Sequence, residues 1–443
     1  MLTPRLTVAL AAMLSSLVFD TPALAVTTAP VTGATGVAVN TATHTFYGLE
    51  NLTGSSGTVG AVAVFTSTNP SVVAKTISVG YNPFAIAVNA NTNTIYVVNY
   101  GPTATPSTTV TVISGATNSV TATISGLPTN ASAIAVNPTT NRIYVACGAG
   151  ASAQYPGTLW VINGSTLALT SLGVGYNPSG VAVNPATNRV YVSNAGSTYG
   201  SPSVTIFNGA TNALVANLST PSNAAPAGLA VDGAANRIYI ASSTGLLVLN
   251  GATRTFVTTV VFGANLQSVA VDHHAGLVFV NSSSLKNTYT VRIATLTAGT
   301  TILGPAVGSS HPTSIAVDPS LQRVFDASSP YVTLYNETQF IVPQAPAAPT
   351  LTPGSQLITV NWSVPKNLGP AISYYDVLVS TSANGPYAMS TSSIGSCYKN
   401  VTVPTTSCTI GGLTTGVTYY VEVEAASAAG FGPVSPYASA TSN

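Results

Sequence analysis

A ten-residue motif recurs along most of the chain and limits its possible folds more than any other feature. In the clearest copy, residues 136–145, an Asn is followed seven residues later by a Tyr. Seven copies keep this interval to a Tyr or Phe without insertion or deletion, and their Asn or Asp, which we call the anchor, lies at 40, 89, 137, 184, 232, 272 and 318. Successive anchors are 40 to 49 residues apart. A fixed period of this length indicates stacked or radially repeated units.

Each repeat has the pattern of short β-strands. One apolar run leads to the anchor and a second follows a polar turn, which predicts a hairpin. In five copies the fourth residue after the anchor is of a type that tolerates a positive φ: Asn93, Asn141, Asn188, Asn236 and Gly276. A third and a fourth strand follow, with no helical periodicity. We therefore predict an all-β protein with a seven-bladed β-propeller over residues 26–341.

The ends of the repeat region predict how the ring of blades closes. The last repeat supplies three strands before a proline-rich segment, whereas residues 26–31 form a lone strand-like segment before the first anchor. If the N-terminal segment became the outer strand of the seventh blade, two free sheet edges would disappear. We expect this closure.

Residues 1–25 have the organisation of a secretory signal peptide. A positive charge at Arg5 precedes an apolar stretch, and a small-residue cleavage pattern ends at Ala25. A retained membrane anchor is the alternative, which two serines and an Asp in or after the apolar stretch disfavour. No later apolar run is long enough to span a bilayer. We expect a secreted or cell-surface monomer without a transmembrane segment in the mature chain.

The charge content narrows the possible partners. Only 5% of the residues are charged and the formal net charge is +1, so a nucleic-acid reader that works through basic patches is excluded. Because 46% of the residues are hydrophobic, the low charge does not indicate disorder. This balance is typical of secreted β proteins, in which Ser, Thr and Asn provide the solubility.

A different pattern follows the proline-rich linker, residues 342–349. The strand ending at Trp362, the turn and alternating strand that contain Tyr419, and the Gly-Phe-Gly-Pro turn at 430–433 together resemble a fibronectin type III module. The resemblance covers residues 350–443 and implies a β-sandwich with Trp362 in its core and Tyr419 as a tyrosine corner.

Three cysteines are present. Cys397 and Cys408 have a spacing suited to bridging neighbouring strands, and in an exported protein we expect them to form a disulfide. Cys147 is either a small buried hydrophobe, which we favour, or a reactive thiol.

The repeats can be compared with a known family. The pattern Ile-Ala-Val-Asn-Pro followed by Asn-Arg-Ile-Tyr-Val-Ala resembles the YVTN-type β-propeller repeat, and residues 96–99 and 191–194 come closest to its signature. This resemblance spans about 26–341 and implies kinship with lactonase-like and surface-layer propellers. It implies a fold more than an activity, because the repeated residues build the blades.

Charged residues give no catalytic pattern. The anchor aspartates and the arginines at 142, 189, 237 and 323 occupy repeat positions, so we interpret them as structural. Glu50, Asp326 and Glu337 remain unassigned. His44, His273 and His274 lie in turns at different angles around the ring, so no metal site is expected. Nucleotide-binding and nucleophile-elbow motifs are absent, and no cofactor is predicted.

Variation between repeats indicates a ligand face. The connections into the first strand and those between the second and third strands share one face of a propeller. Here the chain places Tyr81, Asn82, Tyr176, Asn177 and His311, together with insertions at 100–108, 148–157, 195–203 and 282–288 that include Tyr155 and Tyr199. Tyr among Gly, Ser, Thr and Asn is typical of adaptable binding loops, although exposed loops of any charge-poor protein would look similar.

These observations predict an exported, non-enzymatic binding protein that presents face loops to an extracellular glycan or protein. The alternatives are a lactonase-like hydrolase or lyase and a structural component of the cell envelope. Binding predicts neutral, aromatic contacts, whereas an enzyme predicts a cluster of charged groups at the central channel.

Overall fold

The computed structural model describes residues 27–31, 33–50, 59–66, 69–101, 107–148, 154–263, 265–282, 287–303, 314–328, 331–389, 395–397 and 400–443. Within these ranges the chain consists of β-strands and two 3-10 turns, Pro221–Asn223 and Glu337–Phe340, and contains no α-helix. Val26–Phe340 forms one compact unit, and Ile341–Asn443 belongs to a second. The predicted signal peptide lies outside the described residues.

The first unit contains seven four-stranded antiparallel sheets, which we number as blades. The N-terminal strand is β1 (Thr27–Pro30). Blade 1 contains β2 (Ala34–Asn40), β3 (Thr45–Glu50), β4 (Val59–Thr66) and β5 (Lys75–Tyr81). Blade 2 contains β6 (Pro83–Asn89), β7 (Thr94–Asn99), β8 (Thr109–Ser114) and β9 (Ser119–Ile124). Blade 3 contains β10 (Ala131–Asn137), β11 (Arg142–Cys147), β12 (Thr158–Asn163) and β13 (Leu169–Gly173). Blade 4 contains β14 (Pro178–Asn184), β15 (Arg189–Asn194), β16 (Ser203–Asn208) and β17 (Leu214–Ser219), and blade 5 contains β18 (Pro226–Asp232), β19 (Arg237–Ser242), β20 (Gly245–Asn250) and β21 (Thr255–Val260). Blade 6 contains β22 (Leu266–Asp272), β23 (Leu277–Ser282), β24 (Asn287–Arg292) and β25 (Thr297–Leu303). The last three strands, which belong to blade 7, are β26 (Ser314–Asp318), β27 (Arg323–Ser328) and β28 (Tyr331–Asn336).

The ring closes through its N-terminus. Strand β1 pairs antiparallel with β28, so that Thr27 lies opposite Leu334 and Pro30 opposite Tyr331. The Ala29 and Val31 side chains are buried in a core that also contains residues of blades 1 and 7. Blade 7 thus consists of three strands from the end of the propeller and one from its beginning. The predicted closure is confirmed.

The turn after each anchor has the predicted backbone. The fourth residue after the anchor has a φ between 48° and 68° in all seven blades. This residue is His44 in blade 1 and Gln322 in blade 7. Asn and Gly reach this left-handed region most readily, which explains their predominance at the position. The aromatic residue three positions further along is buried in every blade: Tyr47, Tyr96, Tyr144, Tyr191, Tyr239, Phe279 and Phe325.

The hydrophobic core lies between blades. One core cluster joins Tyr96 and Val98 of blade 2 to Ile143 and Val145 of blade 3, and comparable clusters join other neighbouring pairs. Since alternate side chains of a strand point to opposite faces, each sheet covers a neighbour on both sides. The second strands are therefore almost fully buried, and their sequences are nearly continuous apolar runs.

The innermost strand of each blade is paired on one side only. Small residues four positions before the anchor let these strands converge. A Cβ built on Gly180 would lie 2.7 Å from the Ala227 carbonyl oxygen, and one on Gly228 would lie 2.6 Å from that of Gln267. The backbones of blades 4, 5 and 6 therefore approach too closely for a larger side chain.

The second unit is a β-sandwich. One sheet has the order β29 (Thr350–Gly354), β30 (Leu357–Asn361), β34 (Ser407–Gly411), and the other is formed by β31 (Ile372–Ser380), β32 (Ala388–Met389), β33 (Val401–Thr402), β35 (Thr418–Ser427), β36 (Gly430–Phe431) and β37 (Ala438–Thr441). Trp362 is buried against Tyr375, and the hydroxyl of Tyr419 accepts a 3.0 Å hydrogen bond from the Thr414 amide. Both roles predicted for Trp362 and Tyr419 are confirmed. Cys397 and Cys408 are joined in a disulfide.

Candidate functional site

The two ends of the propeller differ in which connections they carry. The strands of a blade alternate in direction, so all seven anchor turns lie at one end, which we call the anchor face. The connections into each inner strand and those between the second and third strands lie at the other end, which we call the loop face. Those of the predicted ligand-binding residues that the structure describes belong to the loop face.

A cavity of about 390 Å³ opens among the inner strands. Its volume is within the range typical of small-molecule sites. All seven blades contribute to its wall, which consists of Thr35, Gly36, Val37, Phe84, Ala85, Ile86, Ser132, Ala133, Ile134, Ser179, Gly180, Val181, Ala227, Gly228, Leu229, Gln267, Ser268, Val269, Ser314 and Ile315. None of these residues is ionisable. Because they precede the anchors by three to five positions, the cavity lies towards the loop face.

The wall changes character with depth. Residues three positions before the anchor are aliphatic in every blade, whereas those five positions before it include Thr35, Ser132, Ser179 and Gln267. The hydroxyl of Thr35 donates to the Pro83 carbonyl at 3.2 Å, and that of Ser179 donates to the Pro226 carbonyl at 2.7 Å. These bonds join neighbouring blades and hold the polar rim in place. The described wall can therefore offer hydrogen bonds and apolar contact, and it contains no acid or base.

Phe84 gives the rim an aromatic surface. It is 40% exposed, and its ring centroid lies 4.9 Å from that of Tyr100, which directly follows the second strand of blade 2. The repeat pattern alone does not single out Phe84 or Gln267 as cavity residues. One indication is present in it, since both are larger than the Thr, Ser or Ala at the same distance from the anchor in blades 1, 3, 4 and 5.

The predicted tyrosines fall into two groups. Tyr155 and Tyr199 are 61% and 60% exposed. Tyr81 and Tyr176 are half-buried, and the Tyr176 ring packs so closely on Gly200 that a Cβ there would overlap its edge. The loop face therefore carries aromatic rings from the end of blade 1 through blade 4.

Asn82 and Asn177 brace the loops. Both have a left-handed backbone, and their side-chain amides donate to the carbonyls of Gly101 at 2.8 Å and Gly196 at 2.6 Å. In return, the Gly101 amide donates to the Tyr81 carbonyl, and the Gly196 amide donates to the Tyr176 carbonyl. Each Asn therefore fixes the loop that follows the second strand of the blade that it precedes. His311 lies outside the described residues.

Part of the chain matches a known domain family, and the propeller resembles solved structures. Residues 343–441 match the profile of the Fibronectin type III domain family. Kuenenia stuttgartiensis hydrazine synthase aligns with a TM-score of 0.57 and 14% identity, over 70% of this chain and 97% of the other. The Myceliophteria thermophila Cps50 (Swd1) beta-propeller domain aligns with a TM-score of 0.56 and 8% identity, over 70% of this chain and 99% of that domain. This chain is a seven-bladed β-propeller followed by a fibronectin type III domain. No curated protein matches the sequence.

The likeness to solved structures shows the fold of the propeller alone, since both identities are low. No helix in the described ranges has the length and apolar character needed to cross a bilayer.

The three unassigned carboxylates do not line the propeller cavity. Glu50 is the last residue of β3, Asp326 lies within β27, and Glu337 begins the 3-10 turn after β28. Asp326 is buried and accepts a hydrogen bond from the Thr288 hydroxyl. Burial raises its pKa to about 6, and hydrogen bonds from Thr288 and Asn281 oppose that rise. No acid–base pair at the channel is formed by the described residues.

The anchor face instead contains a belt of side-chain hydrogen bonds between blades. In all seven blades the anchor Oδ1 accepts the backbone amide two residues ahead. In six of the blades, the other polar atom of the anchor bonds a side chain of the next blade. The pairs in blades 1 to 4, at 2.8 to 2.9 Å, are Asn40–Asn93, Asn89–Asn141, Asn137–Asn188 and Asn184–Asn236.

Two of the three aspartate anchors pair with histidines. The Nδ1 atom of His273 lies 2.9 Å from Asp232, and that of His44 lies 3.0 Å from Asp318, which joins blade 7 to blade 1. The described residues contain no group of three or more His, Cys, Asp or Glu side chains that could hold a metal. These histidines thus have a structural partner each.

The repeated arginines also join blades. Arg142 donates to the Gly209 carbonyl at 2.7 Å and Arg237 donates to the Ile293 carbonyl at 3.3 Å, in each case in the following blade. The structural interpretation is confirmed for these two positions.

Cys147 is a buried free cysteine at the end of β11. Burial raises its pKa to about 12. At neutral pH the group is therefore a thiol rather than the nucleophilic thiolate, as expected for a small buried hydrophobe.

Proposed function

We propose that this protein is an exported, non-enzymatic binding protein whose loop face recognises an uncharged ligand, either a glycan or a protein segment. The observation that carries the proposal is the cavity wall, in which none of the described residues is ionisable. Hydroxyl, amide and aromatic groups at the rim suit a neutral, polar ligand with an apolar side. Propellers and fibronectin type III domains both serve as interaction modules, which agrees with a binding role.

Three observations support the exported setting and the finer family assignment. Residues 1–25 have the composition of a signal peptide, and the Cys397–Cys408 disulfide is suited to an oxidising compartment. The Tyr-Val-x-Asn segments at 96–99 and 191–194 support membership of the propeller in the YVTN-type group. We place the mature protein outside the cytoplasm, at the cell surface or released.

An enzyme of the lactonase-like class requires acid–base or metal-ligating groups at the channel mouth. The described wall supplies none, so binding is the better proposal. A structural cell-envelope component needs no ligand, and the search for a ligand therefore distinguishes it from a binding protein.

The mature protein should be applied to glycan and peptide arrays at two salt concentrations. Binding to a neutral ligand should persist from 0.05 to 0.5 M NaCl, because salt screens contacts between charges and leaves stacking and neutral hydrogen bonds largely intact. Once a ligand is identified, the fourfold variant Tyr81→Ala, Tyr155→Ala, Tyr176→Ala, Tyr199→Ala tests the face. It should lose binding at least tenfold.

Tyr437→Ala is the matched control, because Tyr437 is a 48% exposed tyrosine of the fibronectin type III domain. The control should bind like the unchanged protein. Binding that survives the fourfold replacement but is lost with Tyr437→Ala would move the site to the C-terminal domain and refute the proposal.

A further inference from the structure

We call each place where an anchor of the belt meets a side chain across a blade boundary a joint. One of the seven joints differs chemically from the other six. The anchor of blade 6, Asp272, faces Glu337, which begins the 3-10 turn where the chain leaves the propeller. Asp272 is 1% exposed and Glu337 is fully buried. Two carboxyl groups thus occupy a joint that elsewhere holds two amides or a carboxylate and an imidazole.

Hydrogen-bond donors are missing at this joint. Asp272 Oδ2 and both carboxyl oxygens of Glu337 are buried without a hydrogen-bond donor among the described residues. Ionised carboxylates can only accept hydrogen bonds, and two of them side by side in a buried site repel each other. Asp272 and Glu337 therefore cannot both be ionised at the same time in the folded protein.

The two carboxyl groups are not equivalent. Asp272 Oδ1 accepts the backbone amides of His274 at 2.7 Å and Ala275 at 3.1 Å, which stabilises Asp272 as the anion. Glu337 receives no such bond from the described residues. The missing proton therefore belongs on Glu337, with Asp272 Oδ2 as its acceptor.

Other charged groups near the joint reinforce this assignment. Asp318 of blade 7 adds a third carboxylate, already bonded by the Ser320 hydroxyl at 2.6 Å and by His44. His274 Nδ1 lies 3.8 Å from Asp272, but this imidazole is 86% exposed. The negative surroundings favour the neutral form of Glu337.

We propose that Glu337 carries a proton at neutral pH and donates it to Asp272 Oδ2, and that this acid–carboxylate hydrogen bond is the blade 6 to blade 7 link of the belt. The proton replaces the amide or imidazole hydrogen used at the other joints. All seven joints then contain one hydrogen between two side chains. The link also fastens the exit segment, where Phe340 packs near Phe279 of blade 6 and Tyr335 of blade 7.

A consequence for stability follows from the direction of the pKa change. Burial, followed by the contact with Asp272, raises the pKa of Glu337 to about 10 in the folded protein. Between the ordinary pKa of an unfolded Glu and this value, the folded state binds one proton more than the unfolded state. Stability therefore falls as pH rises, and the ratio of folded to unfolded protein decreases about tenfold per pH unit.

The test uses the full mature chain with Trp362→Phe, so that Trp160, the other of its two tryptophans, reports the propeller. Denaturant unfolding is measured at pH 7.0 and 8.0. The parent should lose about tenfold in the folded-to-unfolded ratio. Glu337→Gln should remain folded and lose that tenfold change, because its amide hydrogen replaces the acid proton at any pH. Glu424→Gln makes the same chemical change in the other domain. This variant should keep the tenfold change in the folded-to-unfolded ratio between pH 7.0 and 8.0.

Two results would overturn the proposal. The first is an identical pH dependence in the parent and in Glu337→Gln, which would place no titrating proton on Glu337. The second is a rise in melting temperature on adding 5 mM CaCl2 or MgCl2 to the parent but not to Glu337→Gln, which would mean that a cation holds the pair.

Infrared spectroscopy provides a readout on the parent alone, should Glu337→Gln fail to fold. At pH 8 a protonated buried carboxyl gives a carbonyl band that shifts in D2O. Asp326, with a pKa of about 6, is ionised at that pH and adds nothing to it. Absence of the band would refute a protonated Glu337.

Discussion

The two faces of the propeller follow opposite rules. On the anchor face, seven turns have the same length, each anchor uses one atom for its own turn, and six of the anchors use the other atom for the next blade. On the loop face, the connection between the second and third strands ranges from the two residues between β19 and β20 to the insertion at 148–157. Contacts that hold the ring are thus separated from loops that are free to change. A binding surface can vary there because loop-closure entropy grows slowly with length.

The anchor face also shows how the partner determines the anchor. Both Asn and Asp provide the Oδ1 that accepts the turn amide, so the turn alone accepts either residue. The second polar atom of the anchor side chain, which faces the next blade, determines whether Asn or Asp is needed. An Asn partner presents Oδ1 and needs the donor Nδ2 of Asn, whereas a His partner presents Nδ1–H and needs the acceptor Oδ2 of Asp.

The largest effect is expected from removing the strand that closes the ring. A mature chain that starts at residue 33 lacks β1 and loses the buried Ala29 and Val31 side chains as well as one ladder of hydrogen bonds. The free energy of unfolding of the propeller should fall by about 4 kcal/mol. Denaturant unfolding followed by Trp160 fluorescence, with Trp362 replaced by Phe, measures it.

The comparison variant ends at residue 344 and lacks the C-terminal domain. Its propeller should unfold at the same denaturant concentration as in the full chain, because that domain is a separate compact unit. If the chain lacking β1 is as stable as the parent, the closing role of β1 is wrong.

A smaller loss is expected at a single joint of the belt. Asn137→Asp places a buried carboxylate against Asn188 Oδ1 and removes the 2.9 Å hydrogen bond between them. The cost should be about 3 kcal/mol, because the second carboxylate oxygen would face Asn188 Oδ1 without a hydrogen-bond donor, although Oδ1 keeps the Thr139 and Thr140 amides. Adding Asn188→His should recover most of it, since His44 at the same turn position pairs with Asp318 in this way. A double-mutant cycle at pH 7 measures the coupling.

Asn163→Asp is the control for that cycle. Asn163 is exposed, and its Oδ1 accepts the Ser165 amide at 2.9 Å, a role that Asp also fills. Its effect should stay within about 0.5 kcal/mol. Strictly additive effects of Asn137→Asp and Asn188→His would show that the two residues do not form a joint.

The smallest effect on stability is expected on the loop face. Replacing both Tyr155 and Tyr199 by Ala should change the free energy of unfolding by less than about 0.5 kcal/mol per residue, because both side chains are mostly exposed. Thermal unfolding checks this expectation. A loss comparable to that of Asn137→Asp would mean that the loop face also holds the ring, and the contrast between the faces would fail.

The sequence predicts the constant parts of this molecule well, because they are local. The interval from anchor to aromatic residue specifies the turn, and the Asn at the fourth position is enough to indicate the left-handed backbone there. His44 and Gln322 adopt the same backbone without the favoured residue types. In those blades the neighbouring strands, rather than the turn residue itself, impose the conformation.

The partners across blades were not predictable in the same way. Gly276 occupies the position that supplies the partner in blades 1 to 5, and His273, three residues earlier, takes over that role. Glu337 comes from outside the repeat motif altogether. Sequence periodicity shows what is repeated, and such replacements appear only when the blades are placed side by side.

The ligand face was predicted as a set of loops, and the structure changes the emphasis within it. Asn82 and Asn177 are each followed by a Gly nineteen residues later, and this shared spacing is a sign that each Asn holds its own loop. Phe84 and Gln267 could not be predicted in this way, because only the radial arrangement shows which residues of an inner strand surround the cavity. Whether these residues contact a ligand stays a prediction.

The closing strand also affects how the protein can be made. Strand β1 is synthesised before every other strand of the propeller, yet its partner β28 is the last. Neighbouring blades can assemble from segments close in sequence, but the seventh must wait until both ends of the ring exist, and such distant pairing slows folding. A chain interrupted before β28 would display the open edge of β1 and an open ring, and exposed strand edges recruit other chains. The strand edges at the two ends of the ring are therefore protected only after β28 has been synthesised and has paired with β1.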